Sequence, residues 1–281
     1  MSVVAIIGAG EIGAAAAFAL ARRARVRDVR LIDEAASIAA GKALDMRQTG
    51  PIEGFDTAVF GRGEILDAVN SDLIVIADAV TGGEWEGDRG LALVKQLVRA
   101  GSKAPIVFAG PRQNWLMEAA VREAGVAPDA IVGSAATAVH SGARGLIALE
   151  VNGAAADVAV AVVGRPPAFT IGWTSATLGG SLLPAAMPAH RMIAVSDTLK
   201  KLWPPKPHAI GSATAAVVEG LLLGARRHIY GTTVLTGEYG ERGVSTMLPL
   251  SLGNGRVQKR IDPSLSAQER VEFLNGLSKA R

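Results

Sequence analysis

An apolar run, Val3-Val4-Ala5-Ile6-Ile7, leads directly into Gly8-Ala9-Gly10-Glu11-Ile12-Gly13, and this junction constrains the fold more than anything else in the chain. A short run without polar alternation suits a parallel strand buried on both faces. Ala14 to Arg23 is alanine-rich and free of breakers, so it predicts a helix. Val29-Arg30-Leu31-Ile32-Asp33 then predicts a second strand that ends on a carboxylate. Strand, glycine turn, helix, strand and terminal acid in this order describe the opening βαβ unit of a dinucleotide-binding sheet. Gly8 permits the tight turn, Gly10 lets a pyrophosphate approach the backbone, and Gly13 lets the helix pack on the strand. Glu11 and Ile12 begin a helix whose free N–H groups and positive dipole end favour an anion. Asp33 is placed to accept hydrogen bonds from ribose hydroxyls and to repel a 2′-phosphate, which points to NAD rather than NADP. The alternative is a glycine turn with a nearby Asp and no ligand.

Strands and helices keep alternating through the first half. Helices are expected over Ala36 to Gln48, ended by Thr49-Gly50-Pro51, and over Leu91 to Arg99 and Trp115 to Ala124. Further strands are expected at Thr57 to Phe60, Asp72 to Ala77, Pro105 to Ala109 and Ala130 to Gly133. Short apolar strands separated by helices predict an α/β fold, a Rossmann-type doubly wound parallel sheet. The second half reads differently. Asn152-Gly153 between Leu146–Val151 and Asp157–Val163 is a hairpin signal. Ile210 to Arg226 predicts a long helix, and Ile229–Thr236 and Ser245–Leu252 predict strands flanking a turn at Glu238 to Glu241. Ser266 with Glu269 forms a capping box for a final helix. The expected organisation is a dinucleotide-binding domain over 1–136 and an α+β domain over 137–281.

Composition narrows the function. A net charge of +3 with no long basic run gives no support for nucleic-acid binding. Cysteine is absent, so disulfide, thiol and Cys-ligated metal chemistry are absent too. The four histidines form no constellation with metal-ligand spacing. No secretory leader is visible, and the most apolar late stretch, Ile210 to Ala225, is interrupted by Glu219 and too short to span a bilayer. The expectation is a cytoplasmic protein that acts on a small molecule, without membrane or nucleic acid.

Several motifs together resemble the lactate/malate dehydrogenase family. They are the glycine turn, Leu31-Ile32-Asp33 with Ala40-Gly41-Lys42-Ala43-Leu44-Asp45, and Ser71 to Ile76. Thr236-Gly237-Glu238-Tyr239-Gly240, Leu248-Pro249 and Leu252-Gly253-Asn254-Gly255 extend the likeness to the other end of the chain. The last three have no part in cofactor binding, so they point past a shared Rossmann fold. The resemblance implies NAD as cofactor and a CH–OH oxidoreductase acting on a small carboxylic acid. It also implies a homodimer or homotetramer, paired through the Asp45-bearing helix, whose Ala36, Ala40, Ala43 and Leu44 suggest a close-packing face.

The family's catalytic pattern is altered in this chain. The family carries its proton-transfer His after a hairpin, where this sequence reads Gly164-Arg165-Pro166-Pro167, and proline cannot move a proton. His140 stands for the Asp that orients that His, and Gly110 for the Asn of the Asn-Pro loop. The mobile loop, Val80 to Gly87, carries Glu84 and Glu86 in place of its arginine. The residues left for catalysis are His140 as base, Arg144 as carboxylate clamp and Arg89 as a second substrate contact. Two further functions stay open beside a modified oxidoreductase: a catalytically silent NAD-binding protein or dinucleotide sensor, and a structural subunit, which the intact glycine turn and Asp33 disfavour.

Overall fold

The computed structural model describes residues 2–278. The first half runs β1 (Val3–Ile7), α1 (Glu11–Arg23), β2 (Asp28–Ile32), α2 (Ala36–Glu53), β3 (Ala58–Arg62) and β4 (Leu73–Ile76). A two-stranded ribbon, β5 (Asp78–Ala79) with β6 (Gly83–Glu84), precedes α3 (Gly87–Arg99), β7 (Ile106–Phe108), α4 (Asn114–Ala124), β8 (Ile131–Gly133) and α5 (Ala135–Glu150). The second half comprises β9 (Val158–Arg165), β10 (Ala168–Leu178), β11 (Ser181–Leu182), α6 (Ala189–Lys201) and α7 (Pro207–Leu223). It closes with β12 (Ile229–Thr236), β13 (Arg242–Gly253), β14 (Arg256–Arg260) and α8 (Ala267–Ser278).

Strand order β3-β2-β1-β4-β7-β8 is parallel throughout, the doubly wound arrangement that the sequence predicts. The strands of this half are apolar because helices cover both faces: α1 and α2 seal one side, α3 and α4 the other. The sheet does not stop there. Gly133 of β8 pairs with Thr232 of β12, and β12-β13-β9-β10-β11 continue antiparallel. Helix α7 ties the halves together by crossing α1, where Gly211 meets the backbone of Ala15 so closely that a side chain has no room.

Two local expectations are corrected. Asn152-Gly153 is not a hairpin turn, because α5 runs unbroken to Glu150 and Asn152, at φ 52°, caps its end. Ala143, Ile147 and Ala148 bury at helical spacing, and that stripe outweighs the dipeptide signal. The true hairpin is β9–β10, with Pro166-Pro167 as its turn. Helix α2 passes through Pro51 and ends at Gly54 (φ 76°), since proline in the last turn forfeits only one helical hydrogen bond. The proline-rich stretch before Pro207 holds α6, with Pro188 at its N-cap. Proline there punctuates a helix rather than forbidding one. The capping box is present as expected: Glu269 N donates to Ser266 Oγ (3.3 Å) and Ser266 N to Glu269 Oε2 (2.8 Å).

Candidate functional site

The glycine turn is built against the segment that follows β4. Gly8 adopts φ 108°, and a side chain there would strike the backbone of Asp78. Gly10 N donates to Asp78 O at 2.8 Å. Gly13 lies on the carbonyl of Gly8 with no space for a Cβ, so α1 packs directly on the turn. Asp33 is buried and ties three segments together. Its Oδ2 accepts from Ala9 N (2.8 Å) and Val80 N (2.9 Å), and its Oδ1 accepts from Ala35 N (3.0 Å). A carboxylate offers about four lone-pair positions, so most of this one is committed to the backbone. Lys42 on α2 reaches over the turn and donates to the carbonyls of Ala9 (2.6 Å) and Gly10 (3.3 Å).

The first-turn N–H groups of α1 already have an acceptor. Asp78 Oδ1 takes Gly13 N at 2.9 Å and Oδ2 takes Ile12 N at 3.2 Å. The sequence reading passed over Asp78, although a carboxylate directly after the apolar run Ile74-Val75-Ile76-Ala77 repeats the pattern that singled out Asp33. A dinucleotide therefore fits the turn backbone and the Asp33 end, while the pyrophosphate position is contested by a side chain of the chain itself.

Beyond β5 the loop is pinned rather than loose. Glu84 on β6 accepts from the backbone N–H (3.0 Å) and Nε (3.2 Å) of Arg112. Its carboxylate fills the space that a side chain on Gly110 would need. Burial raises the Glu84 pKa, with the Arg112 hydrogen bonds pulling against it. Gln113 bridges the same turn: it accepts from Gly110 N (2.8 Å) and donates to Trp85 O (3.0 Å). Trp85 is buried, and the Arg89 guanidinium stacks on its ring, 4.0 Å from the centroid. Arg89 is thus held by an aromatic face on the loop side of α3.

His140 and Arg144 lie one turn apart on α5 and face β9 and β12 together. The His140 ring stacks on Tyr230 with centroids 3.8 Å apart, and its Nε2 is 3.2 Å from the carbonyl of Val160. Burial first, and then the Arg144 charge, lower its pKa to about 4, so the ring is neutral near pH 7. Arg144 donates from Nε to Val158 O (3.0 Å) and from Nη2 to Ala155 O (2.6 Å). Both residues line a cavity of about 490 Å³ with Arg227, His228, Tyr230 and Asp262. The next face of α5 is apolar: Val139 and Gly142 line a second cavity, of about 300 Å³, with Leu199, Leu202 and Trp203. The structure therefore groups Gly8, Gly10, Glu11, Ile12, Gly13 and Asp33 at the turn and pairs His140 with Arg144, while Arg89 packs on Trp85. At the hairpin tip, Arg165 pairs with Glu118 (2.7 Å), whose carboxylate also takes the N–H and hydroxyl of Ser245. No cluster of three or more His, Asp or Glu side chains among the described residues could hold a metal ion.

A parallel dinucleotide-type sheet extended by an antiparallel α+β unit, with a glycine turn and an acid at the end of β2, defines an NAD-binding oxidoreductase architecture. The family model for the lactate/malate dehydrogenase NAD binding domain matches residues 2–99. Malate dehydrogenase from Thermomicrobium roseum is 28% identical over 292 residues, covering 95% of this chain and 92% of that protein. The Chlorobium limicola malate dehydrogenase is 26% identical, covering 95% and 92%. Among solved structures, malate dehydrogenase from Salinibacter ruber superposes with a TM-score of 0.89 at 24% identity, over 99% of this chain and 95% of that one. The minor L-lactate dehydrogenase of Enterococcus mundtii gives 0.88 at 21%, over 99% and 96%. Residues 2–99 thus match the NAD binding domain of the lactate/malate dehydrogenase family, with NAD as the cofactor, and the chain is similar to malate dehydrogenases over nearly its whole length.

Proposed function

We propose that this protein is an NAD-binding member of the family in which lactate and malate dehydrogenation has been lost. The observation that carries this is the β9–β10 turn, Arg165-Pro166-Pro167, which presents no titratable group except an arginine already paired with Glu118. Positioned acid–base help is worth about 100- to 10,000-fold, and arginine cannot supply it at neutral pH. The packing of Glu84 against Gly110 supports the same conclusion, because it puts a carboxylate where the resemblance implies an amide that meets an anionic substrate. The test is a paired measurement: NAD and NADH binding by calorimetry, and NADH turnover with oxaloacetate and pyruvate. Binding without turnover is the expected result. Malate or lactate turnover at rates ordinary for the family overturns the proposal.

One observation favours a second function. The cavity that His140 and Arg144 share also contains Arg227, and two guanidiniums beside the single carboxylate of Asp262 suit a small carboxylic acid. On this alternative the chain remains a CH–OH oxidoreductase on a changed substrate, with neutral His140 as the base. A screen of 2-oxo and 2-hydroxy acids would then find one whose turnover disappears in His140→Ala while NAD affinity is retained.

The proposal also includes a homodimer or homotetramer in the cytoplasm. Of the small-residue face expected on α2, Ala43 is spent inside the chain, while Ala36 and Ala40 are exposed. The outward side of α2 still exposes Ile38, Leu44 and Ile52, and these would carry subunit pairing. Light scattering at tens of micromolar is the check, and a clean monomer sinks it. No helix among the described residues is long and apolar enough to cross a membrane.

A further inference from the structure

We propose that Asp78 is the residue that sets this chain's affinity for its dinucleotide, by holding the pyrophosphate position of the glycine turn with its own carboxylate. The inference rests on the assignment of NAD to this domain.

Two independent features place the carboxylate there. The first is hydrogen bonding. The N–H groups at the start of a helix after a glycine turn are the donors that a pyrophosphate takes. Here Gly13 N and Ile12 N point at the two oxygens of Asp78, at 2.9 and 3.2 Å. The second is volume. The missing side chain at Gly10 normally leaves room for phosphate to approach the backbone, yet an atom added there would collide with the Asp78 carboxylate. The opening that the glycine creates is filled from within.

The carboxylate is also held from behind. Gly10 N donates to Asp78 O at 2.8 Å, and Asp78 pairs with Glu84 across the β5–β6 ribbon. That ribbon is pinned in turn by Glu84 on Arg112 and by Gln113 on Trp85. Among the described residues no ion pair engages Asp78. Lys42, which reaches the turn, donates to carbonyls instead. The α1 N-terminus is thus the main electrostatic partner of this carboxylate. A diphosphate bears charge of the same sign and needs the same two donors, so the two cannot occupy the turn together. NAD binds only in the fraction of molecules whose Asp78 has swung away, and the apparent affinity falls by that fraction.

The experiment compares the full-length wild type with Asp78→Asn and Asp78→Ala by calorimetry, using NAD, ADP-ribose and adenosine. Both variants should bind NAD and ADP-ribose at least about tenfold more tightly than wild type. Adenosine, which has no phosphate, should bind all three proteins within about twofold. Thermal unfolding supplies a second readout. Without ligand, Asp78→Ala should melt below wild type because α1 loses its cap, and saturating NAD should raise its melting temperature more than that of wild type. The near-isosteric Asn variant keeps the comparison if the Ala variant does not fold. If wild type binds NAD and neither variant binds it more tightly, the proposal is overturned and the NAD assignment stands. Equal tightening toward adenosine also overturns it, because the effect then lies away from the phosphates. If no protein binds NAD or ADP-ribose, the proposal and the NAD assignment fall together.

Discussion

The glycine turn and the β9–β10 hairpin tip are the two places where the family resemblance puts cofactor and substrate chemistry, and they differ in opposite ways. At the turn every backbone feature is intact, and the change is an added group, Asp78 on the N–H donors of α1. At the hairpin the two strands and their pairing persist, and the change is a missing group, with Pro166 at the tip. The contrast has a physical cause. Gly8 and Gly13 are required by packing, since side chains there would strike Asp78 backbone and the Gly8 carbonyl, so the turn cannot drift without unfolding its βαβ unit. A side chain at the hairpin tip only has to end the turn and cover Glu118, so its chemistry can change while the fold stays.

The largest expected effect tests the hairpin side of the contrast. Wild-type protein should show malate and lactate turnover lower than an ordinary family member by at least about 10,000-fold, because acid–base help and substrate clamping are both affected. Pro166→His by itself should not restore it, since the residue expected to orient such an imidazole is His140, which is committed to Tyr230 and Val160. Recovery of rapid turnover in that single variant, read from NADH absorbance, would show that the hairpin lost only one group.

The turn side is tested by stability. Gly13→Ala drives a methyl into the Gly8 carbonyl, where no flexible side chain can move aside. Overpacking of this kind costs about 2–3 kcal/mol, a fall in melting temperature on the order of 3–5 °C for a chain of this length. By contrast, Gly145→Ala on α5 faces open space and should stabilise by about 0.5–1 kcal/mol through helix propensity. Similar melting temperatures for the two variants would remove the packing explanation for the intact turn.

His140 gives a pH signature on the hairpin side. Its folded pKa of about 4 lies below the usual 6.5, so between these values the unfolded chain binds more protons than the folded one. Stability from this group is therefore complete above pH 6.5 and is lost as the pH falls toward 4. Over the part of the window above the carboxylates, from pH 6.5 to about 4.5, the loss should reach about 2–3 kcal/mol. Urea unfolding at several pH values measures it, and His140→Gln should flatten the slope. Glu84 works the other way. Its raised pKa means that the folded state holds the extra proton, so its contribution to stability declines as the pH rises through the interval above 4.5.

What the sequence made legible follows the same contrast. The βαβ unit was readable because each of its signals is local: an apolar run, three glycines, an alanine-rich helix and Asp33 in fixed order. The capping box at Ser266 was readable for the same reason. Asp78 was harder to read, because its partners Ile12 and Gly13 are far away in sequence and only the β1–β4 pairing brings them together. Glu84 shows this more sharply. The resemblance places it on a mobile loop, whereas Gly110 offers it a socket and Arg112 a partner, so it is a pin. Arg144 looked like a clamp on charge and position, yet Val158 and Ala155 carbonyls take two of its five N–H donors through an αβ contact that no local pattern encodes. Residue type and spacing supplied the chemistry available at each position, and packing decided whether that chemistry faces a ligand.

The smallest expected effect concerns cofactor choice, and it sharpens the turn side. Asp33 was assigned the role of holding the ribose hydroxyls, but three backbone N–H groups at 2.8–3.0 Å already use most of its lone pairs. Discrimination between NAD and NADP should therefore come less from hydrogen bonds gained with the ribose than from repulsion of the 2′-phosphate. The Asp33 carboxylate cannot swing away to relieve that repulsion without releasing Ala9, Val80 and Ala35 together. A preference for NAD of at least about tenfold, or 1.4 kcal/mol, is expected by calorimetry, shrinking as salt is raised. Asp33→Asn should abolish most of the preference by letting NADP in, while NAD affinity changes little, because the amide oxygen can still accept from the turn. It should also lower the melting temperature, since the amide nitrogen cannot accept the hydrogen bonds that the second carboxylate oxygen takes. If instead Asp33→Asn weakens NAD and leaves NADP unbound, then the ribose hydrogen bonds dominate at this turn, and the backbone role of Asp33 is secondary.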